Sequence, residues 1–335
     1  MQESVDSFIG AFAGCLAGNV LGSYSERLTV DQIHKVTGGS GIRDFEDGIV
    51  LARCFPADFR GKPTGGWFLP AAIAESICET REYRLAHTLR KMFDSHRAHQ
   101  FVIGNATAAA FEKWAVYYDS NGKIGRSPVE FARPEDPEKS SGTGVAKRAW
   151  PLGLFFAKSP LNYKQTAFMD VVLGQGFPTH YNIRSSIGAF VIAKLMYDLI
   201  REPGISAKQL KKQMIATIAY MSDLYGAQNP PEKALERLME NDLQWNQHRL
   251  SGFVLEAVPF VVKVFFNNPA DFRSGILTTV NAGGNASGNA AMLGALLGAK
   301  LGVKSIPESW RESLPGFDKA CELGEQLFEV AVRGK

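Results

Sequence analysis

A run of small residues, Ser141-Gly142-Thr143-Gly144, is a candidate for binding a phosphate group. Backbone N–H groups beside such small side chains can approach a diphosphate closely. The run closes the polar, proline-containing stretch 126–141, the clearest long loop in the chain, and long loops in compact domains are often functional. Glycine-rich loops are also often plain turns, and on this run alone a turn before a helix is favoured by roughly two to one.

Two stripes of glycine indicate the helices that would hold such a site in place. They are Gly10, Gly14, Gly18 and Gly22 near one end of the chain, and Gly294, Gly298 and Gly302 near the other. A spacing of four places each stripe on one helix face. Glycine weakens a helix, and the usual reason for tolerating it is close approach of another backbone. We therefore expect the two helices to pack together in one core.

Helical periodicity dominates the rest of the sequence, and no sustained period-two alternation indicates strands. Helices are predicted at 68–79, 81–95, 104–118, 162–174, 184–201, 206–224, 230–242, 248–266 and 317–332. There is no internal repeat and no convincing domain boundary. The sequence thus predicts an all-α protein with a single domain over residues 1–335.

Composition excludes several classes of function. The chain has 335 residues, 45% of them hydrophobic, and a formal net charge of only +3 with the basic residues scattered, so nucleic-acid binding is not favoured. Its four cysteines are far apart and form neither a disulfide framework nor a zinc site. The apolar runs 8–21 and 290–301 are shorter than a bilayer requires, and no basic region precedes the first. We expect a cytoplasmic protein without a membrane partner.

Five segments, in order along the chain, carry a family resemblance. They are the glycine-rich stretch 10–26, Phe45-Glu46-Asp47-Gly48, the run 142–153, Thr179-His180, and the stretch 281–310 that contains Asn285-Ala286-Ser287-Gly288-Asn289. Together they resemble the ADP-ribosylglycohydrolase family, whose counterparts are a GDxLG-type turn, Thr-Asp-Asp-Thr, GNGxxMRxxPLG, Thr-His and GGDTDTNA with GALLGA and IPxxW. The resemblance implies a compact multi-helix orthogonal bundle.

The resemblance also implies a metal site, which this chain has depleted. In the family two magnesium ions lie between the Thr-Asp-Asp-Thr and GGDTDT segments, where they hold ribose hydroxyls and help to activate water. Asp47 is retained, while Phe45, Glu46, Gly48, Asn285, Ser287 and Gly288 replace Thr, Asp, Thr, Asp, Asp and Thr. Matched carboxylates fall from four to two, which should weaken a dinuclear site severely. We expect one Mg²⁺ held by Glu46, Asp47 and the Asn285 carbonyl oxygen, or no metal.

Catalytic roles follow from the same match. Glu26 stands where some members activate water, and a carboxylate near a glycosidic carbon can act there without a metal. Asp47 is its predicted acid–base partner, because close carboxylates raise one another's pKa. The alternative is that Asp44 and Glu46 form only a solvated helix start.

The remaining predicted site residues would bind ligand. The small-residue run, Ser141, Gly142, Thr143 and Gly144, would approach a diphosphate, Arg148 could pair with phosphate, and His180 could hydrogen-bond a phosphate or ribose oxygen. Asn285, Ser287 and Asn289 would line the ligand site at the motif beside the expected metal. Each has a plainer reading: Arg148 could pair with a buried acid, His180 could be satisfied by backbone, and Asn289 could cap a helix.

Three functions are consistent with the sequence. The first is an N-glycosidase-type hydrolase acting on an ADP-ribosyl or related NAD-derived nucleotide, with a reduced magnesium site or none. The second is an inactive pseudoenzyme that binds ADP-ribose-like ligands, and the third is a structural use of the fold. The first is slightly favoured. The sequence leaves open the leaving group and the oligomeric state.

Overall fold

The computed structural model describes residues 2–120, 124–158, 165–225 and 250–333. Regular structure in these ranges is helical, apart from one isolated antiparallel bridge between Gly142 and Phe253. The helices of the first half are α1 Gln2–Ser25, α2 Val30–Val36, α3 Phe45–Cys54, α4 Gly65–Thr80, α5 Leu85–His99, α6 Asn105–Asp119, α7 Pro128–Ala132 and α8 Ala146–Lys158. Those of the second half are α9 Gln165–Gly174, α10 Phe177–His180, α11 Ile183–Arg201, α12 Ala207–Tyr225, α13 Val254–Asn267, α14 Phe272–Asn281, α15 Ala286–Leu301, α16 Glu308–Ser313 and α17 Phe317–Arg333. The all-α prediction is confirmed.

The two glycine-bearing helices, α1 and α15, pack against each other through their backbones. A Cβ atom on Gly10 would lie 2.2 Å from the carbonyl oxygen of Gly298, and one on Gly14 would lie 2.2 Å from that of Gly294. No side chain fits in that space, which explains the glycine spacing on both helices. The predicted close approach of the two ends of the chain is thereby confirmed.

Helix α1 is long and strongly apolar. The stretch Val5–Ser25 is long and apolar enough to cross a membrane by length and composition alone. Most of it is buried among the other helices, where Phe8, Phe12 and Leu16 are core side chains. A buried core helix meets the same criteria, so this stretch adds weak support at most for a membrane span.

Sequence periodicity locates most helices to within a few residues. Differences occur at ends and turns: the predicted helix 248–266 begins at Val254, and the expected GDxLG-type turn at 18–22 lies inside α1. The long loop 126–141 contains the short α7 and a 3₁₀ turn, Pro137–Ser140. The helix predicted at 230–242 lies outside the described residues.

Backbone hydrogen bonds among residues 27–28, 250 and 284–285 bring the site segments together. The N–H of Arg27 donates to the Gly284 carbonyl at 2.7 Å, and the N–H of Gly284 donates to Leu28 at 2.9 Å. The Asn285 N–H donates to the Leu250 carbonyl at 2.9 Å. Gly284 must be glycine, because its φ is +63° and a Cβ there would lie 1.9 Å from the Leu250 carbonyl oxygen. The end of α1 and the start of α15 are thus held side by side.

Candidate active site

A cavity of about 360 Å³ opens where α1 ends and where α8 and α15 begin. This volume is within the range of small-molecule sites. Its walls are formed by Glu26, Arg27, Gly104, Asn105, Ala106, Lys139, Gly142, Thr143, Gly144, Lys147, His180, Leu250, Ser251, Gly252, Gly284 and Asn285. The structure therefore brings Glu26, the small-residue run, His180 and Asn285 into one cavity.

Glu26 is the one carboxylate among the described residues that line the cavity. It directly follows α1, and its Oε2 accepts hydrogen bonds from the backbone N–H and the hydroxyl of Ser287, both at 2.8 Å. Ser287 lies in the first turn of α15, where the helix dipole favours a negative charge. The carboxylate is thus held in one orientation by two donors, and Ser287 acts through Glu26.

A buried amide network supports Ser287 from behind. The Asn19 side-chain amide donates to the Ser287 carbonyl oxygen at 3.1 Å and to the Thr64 hydroxyl at 2.8 Å. The Thr64 N–H in turn donates to Asn19 Oδ1 at 2.7 Å. All three residues are nearly inaccessible to solvent, so the network ties the first turn of α15 to α1 and α4. Sequence reasoning missed Asn19 and Thr64, although Asn19 stands at the aspartate of the GDxLG-type pattern.

The small-residue run lies on the opposite wall, held by its own backbone bonds. The Thr143 N–H donates to the Gly252 carbonyl at 2.9 Å, and the Ser185 hydroxyl donates to the Gly142 carbonyl at 3.0 Å. Because the Thr143 N–H is already used, it is not free for a phosphate. The Ser141 carbonyl accepts from Val254, so Ser141 acts as a support and does not line the cavity.

His180 reaches the cavity because Gly144 has no side chain. A Cβ atom on Gly144 would lie 2.6 Å from His180 Cε1 and 2.8 Å from Nε2. Burial, reinforced by the nearby charges of Arg148 and Lys147, lowers the pKa of His180 well below its ordinary value. The imidazole is therefore neutral near pH 7, and its Nε2 lies beside Gly142 and Gly144, which line the cavity.

The proton on the imidazole is placed by a short relay. Arg148 Nη2 donates to the Thr179 hydroxyl at 2.8 Å, so that oxygen is an acceptor there. The same hydroxyl lies 2.8 Å from His180 Nδ1 and 3.3 Å from the Gly176 carbonyl. The shorter contact favours donation to Nδ1, which leaves the hydrogen on Nε2. His180 then offers an N–H donor to a ligand oxygen in the cavity.

Arg148 itself points away from the cavity. Its guanidinium is fully buried and donates from Nε to Gln175 Oε1 at 2.7 Å and from Nη2 to the Gln175 carbonyl at 2.8 Å. Burial lowers the pKa of Arg148 to about 10. The predicted phosphate contact is not made by this geometry, because the guanidinium donates to Gln175 in the turn after α9, to Thr179 of α10 and to the Gly144 carbonyl. Arg148 instead positions His180.

Asn285 and Asn289 form a polar ladder at the start of α15. The Asn285 Nδ2 donates to Asn289 Oδ1 at 2.9 Å and to the Thr143 hydroxyl at 3.3 Å. Asn285 lines the cavity, whereas Asn289 is fully buried beneath it. The ladder links the two walls through Thr143.

The carboxylates predicted beside Glu26 are placed elsewhere. Asp47 accepts from the Arg43 N–H at 2.9 Å and from the Arg43 guanidinium at 2.9 and 3.1 Å, and this bonding lowers its pKa despite partial burial. Asp44 caps α3 through the Asp47 N–H, and Glu46 is exposed. Neither Asp47 nor Glu46 lines the cavity that Asn285 lines. The structure does not join these three predicted metal ligands at one site, and the catalytic role of Asp47 stays a prediction.

The donor set does not fit a pair of magnesium ions. Magnesium prefers several oxygen ligands, mainly carboxylates, and the described part of the chain has no cluster of three or more Asp, Glu, His or Cys side chains able to hold a metal. The two glycines at motif positions are also covered: the Tyr24 ring would lie 2.4 Å from a Cβ on Gly48, and the Lys147 ammonium 2.9 Å from one on Gly288. Larger side chains thus fill the space beside both motif segments.

Lys147 is one of the charged cavity residues that sequence reasoning missed. It lies in the first turn of α8, and its chain crosses Gly288 at the start of α15 with Cδ 2.6 Å and Nζ 2.9 Å from the place of a Cβ. Burial lowers the pKa of Lys147, and the nearby Glu26 carboxylate opposes that lowering. A signal was present, since the lysine stands at the methionine of the GNGxxMR pattern.

Comparison with known proteins agrees with the fold. The family model described as ADP-ribosylglycohydrolase matches residues 1–335. ADP-ribosylarginine hydrolase Tri1 of Serratia proteamaculans (strain 568) is 25% identical over 336 residues, which cover 98% of this chain and 81% of that protein. A solved structure described as an ADP-ribosylglycohydrolase-related protein complex superposes with a TM-score of 0.70 at 21% identity, over 99% of this chain and 100% of the other.

Proposed function

Because the chain belongs to the ADP-ribosylglycohydrolase family, we propose that it hydrolyses the N-glycosidic bond of an ADP-ribosyl substrate in the cavity at Glu26. The observation that carries the proposal is the Glu26 carboxylate, which two donors from Ser287 hold at the cavity wall. A fixed carboxylate beside a glycosidic carbon can serve as a general base toward water.

The proposed reaction uses a single carboxylate in two steps. Glu26 accepts a proton from a water molecule while the water oxygen forms a bond to the anomeric carbon of the ribose. The bond from that carbon to the leaving nitrogen breaks, and the nitrogen takes up the proton that Glu26 received. His180, with hydrogen on Nε2, donates to a phosphate or ribose oxygen, and Thr143 and Gly144 form the wall beside it.

We propose ADP-ribosylated arginine as the first substrate to test. The support is the name of the Serratia relative, ADP-ribosylarginine hydrolase. Arginine also suits a cavity that keeps a carboxylate, because a departing guanidine requires a proton. O-acetyl-ADP-ribose and NAD-derived nucleotides are the comparison substrates, since they share the ADP-ribosyl part and differ in leaving group.

The test is release of ADP-ribose from each substrate, with magnesium and with chelator. We expect turnover of ADP-ribosyl-arginine that persists in chelator, because the donor set at Asn285 and Ser287 is poor in carboxylates. Glu26→Gln should lower turnover about a hundredfold or more without changing the melting temperature. Asp47→Asn is the matched carboxylate control: unchanged turnover assigns the base to Glu26 alone, and loss equal to that of Glu26→Gln restores the predicted acid–base pair.

A binding protein without activity is the alternative that one observation favours. Only one described carboxylate lines the cavity, whereas glycosidases ordinarily use two. Calorimetric binding of ADP-ribose without turnover of any substrate would establish this alternative. Absence of both binding and turnover would refute both functions.

A further inference from the structure

We propose that the Lys147 ammonium, one of three cationic side chains that line the cavity with Arg27 and Lys139, contacts the ribose beside the scissile bond in place of the metal ions expected from the family motifs. This inference rests on the proposed function for the identity of the ligand. Its structural basis is independent and comes from the place of one side chain between two walls.

The position of Lys147 separates it from its neighbour on α8. Lys147 belongs to α8, which also carries Arg148, but the two side chains point in different directions. Arg148 is buried and bound to Gln175, while Lys147 lines the cavity and crosses Gly288 in the first turn of α15. Gly288 lies directly after Ser287, the donor to Glu26. The ammonium therefore lies at the end of the cavity where the carboxylate is held.

The charges around Lys147 are a second observation. An ammonium taken from water needs anionic or polar partners, and the one carboxylate lining this cavity in the described chain is that of Glu26. Glu26 attracts the ammonium, yet no ion pair joins Lys147 to a carboxylate among the described residues. Its three N–H donors are thus available to a ligand, in a cavity that Arg27 and Lys139 also line.

A third observation is that charged residues are replaced at the start of α15. The motif positions that carry two aspartates and a threonine in the family are Asn285, Ser287 and Gly288 here, so negative charge is removed. Lys147 adds a positive charge at the same place, where its chain passes over residue 288, which has no Cβ. A divalent cation near this ammonium would be repelled, and an anionic or hydroxyl-bearing ligand would be attracted.

Manganese titration of the protein alone tests the occupancy without any substrate. The wild type and Asn285→Asp/Ser287→Asp should take up no Mn²⁺ at the cavity, whereas Asn285→Asp/Ser287→Asp/Lys147→Met should take it up. Equal uptake by the double and triple variants, at any level, would overturn the proposal. So would uptake by the wild type that Asn285→Ala removes.

Calorimetry with ADP-ribose and ADP tests the ribose contact. The Lys147→Met variant loses a charged hydrogen-bond donor, so it should bind ADP-ribose roughly tenfold to a hundredfold more weakly than the wild type. Chelator is present throughout. ADP affinity should stay nearly constant, because ADP lacks the terminal ribose. Lys300→Met, at the exposed far end of α15, is the matched control and should behave as wild type.

The outcomes separate the two proposals. An equal fall in ADP and ADP-ribose affinity would place the lysine at the diphosphate and overturn the ribose assignment. Wild-type protein that binds neither ligand would refute the proposed function, and the manganese titration would still decide whether Lys147 excludes a metal. Melting temperatures of each variant identify any loss that is due to unfolding.

Discussion

Substituting alanine for Ser287 removes one of the two hydrogen bonds that orient the proposed base. The hydroxyl and the backbone N–H of Ser287 both donate to Glu26 Oε2 at 2.8 Å. The alanine variant keeps the backbone donor and the start of α15, since alanine is the best helix former. The carboxylate should then rotate more freely while remaining in the cavity.

The structure gives the size of the effect. A hydrogen bond to a charged group contributes about 1.5–3 kcal/mol, and the retained N–H places Ser287→Ala at the low end of that range. Because about 1.4 kcal/mol corresponds to a factor of ten in rate, kcat should fall about tenfold with little change in KM. Glu26→Gln removes the base itself and should cost about a hundredfold or more.

Steady-state release of ADP-ribose from ADP-ribosyl-arginine measures both variants. Ser313→Ala, an exposed helix serine that donates to the Ser309 carbonyl, is the control for loss of a hydroxyl. A wild-type kcat for Ser287→Ala would refute the positioning role. A rise in KM at constant kcat would also refute it, because that result indicates uniform substrate binding.

Four further outcomes follow from the geometry. Gly14→Ala should lower the free energy of unfolding by about 1–3 kcal/mol, because its Cβ would force two backbones apart. The melting temperature should then fall by several degrees. Gly174→Ala is the control and should leave the melting temperature unchanged, because Gly174 has open space around it. The pKa of His180 is lowered in the folded protein, so the unfolded chain binds a proton that the folded chain does not. The free energy of unfolding should therefore be highest above about pH 6.5 and fall as the pH drops below it. His180→Gln should flatten that fall, measured as urea midpoints between about pH 7.5 and 5.5. Arg148→Met should reduce stability by about 3 kcal/mol or more through its unpaired polar partners, and a stable variant with weaker ligand binding alone would contradict the buried role. Ser287→Asp should abolish turnover by placing a second carboxylate against Glu26, and recovery in magnesium would contradict the fit of the site.

The helices could be predicted because their causes are local. The glycine stripes of α1 and α15 indicate a backbone contact by spacing alone, and apolar periodicity locates most of the other helices. The start of α13 at Val254 could not be predicted, because it depends on the Gly142–Phe253 bridge to a distant segment. Long-range pairing leaves no mark in the local pattern.

The site was predictable in its members and less so in their directions. Glu26, Thr143, Gly144, His180 and Asn285 meet at the cavity as the motif order implies. The direction of a side chain depends on partners that sequence does not display. One example is the arginine of α8, which turns to a buried glutamine; another is the aspartate of α3, which is held by the arginine four residues before it. The adjacent lysine of α8 differs, because its place at the methionine of the GNGxxMR pattern marks it in the sequence.

The most direct test of the central claim is a crystal structure of Glu26→Gln with ADP-ribose bound. The account predicts the anomeric carbon of the terminal ribose beside residue 26, close enough for one bridging water, with a ligand oxygen at His180 Nε2. A ligand bound outside this cavity, or one whose adenosine end lies at residue 26, would contradict it.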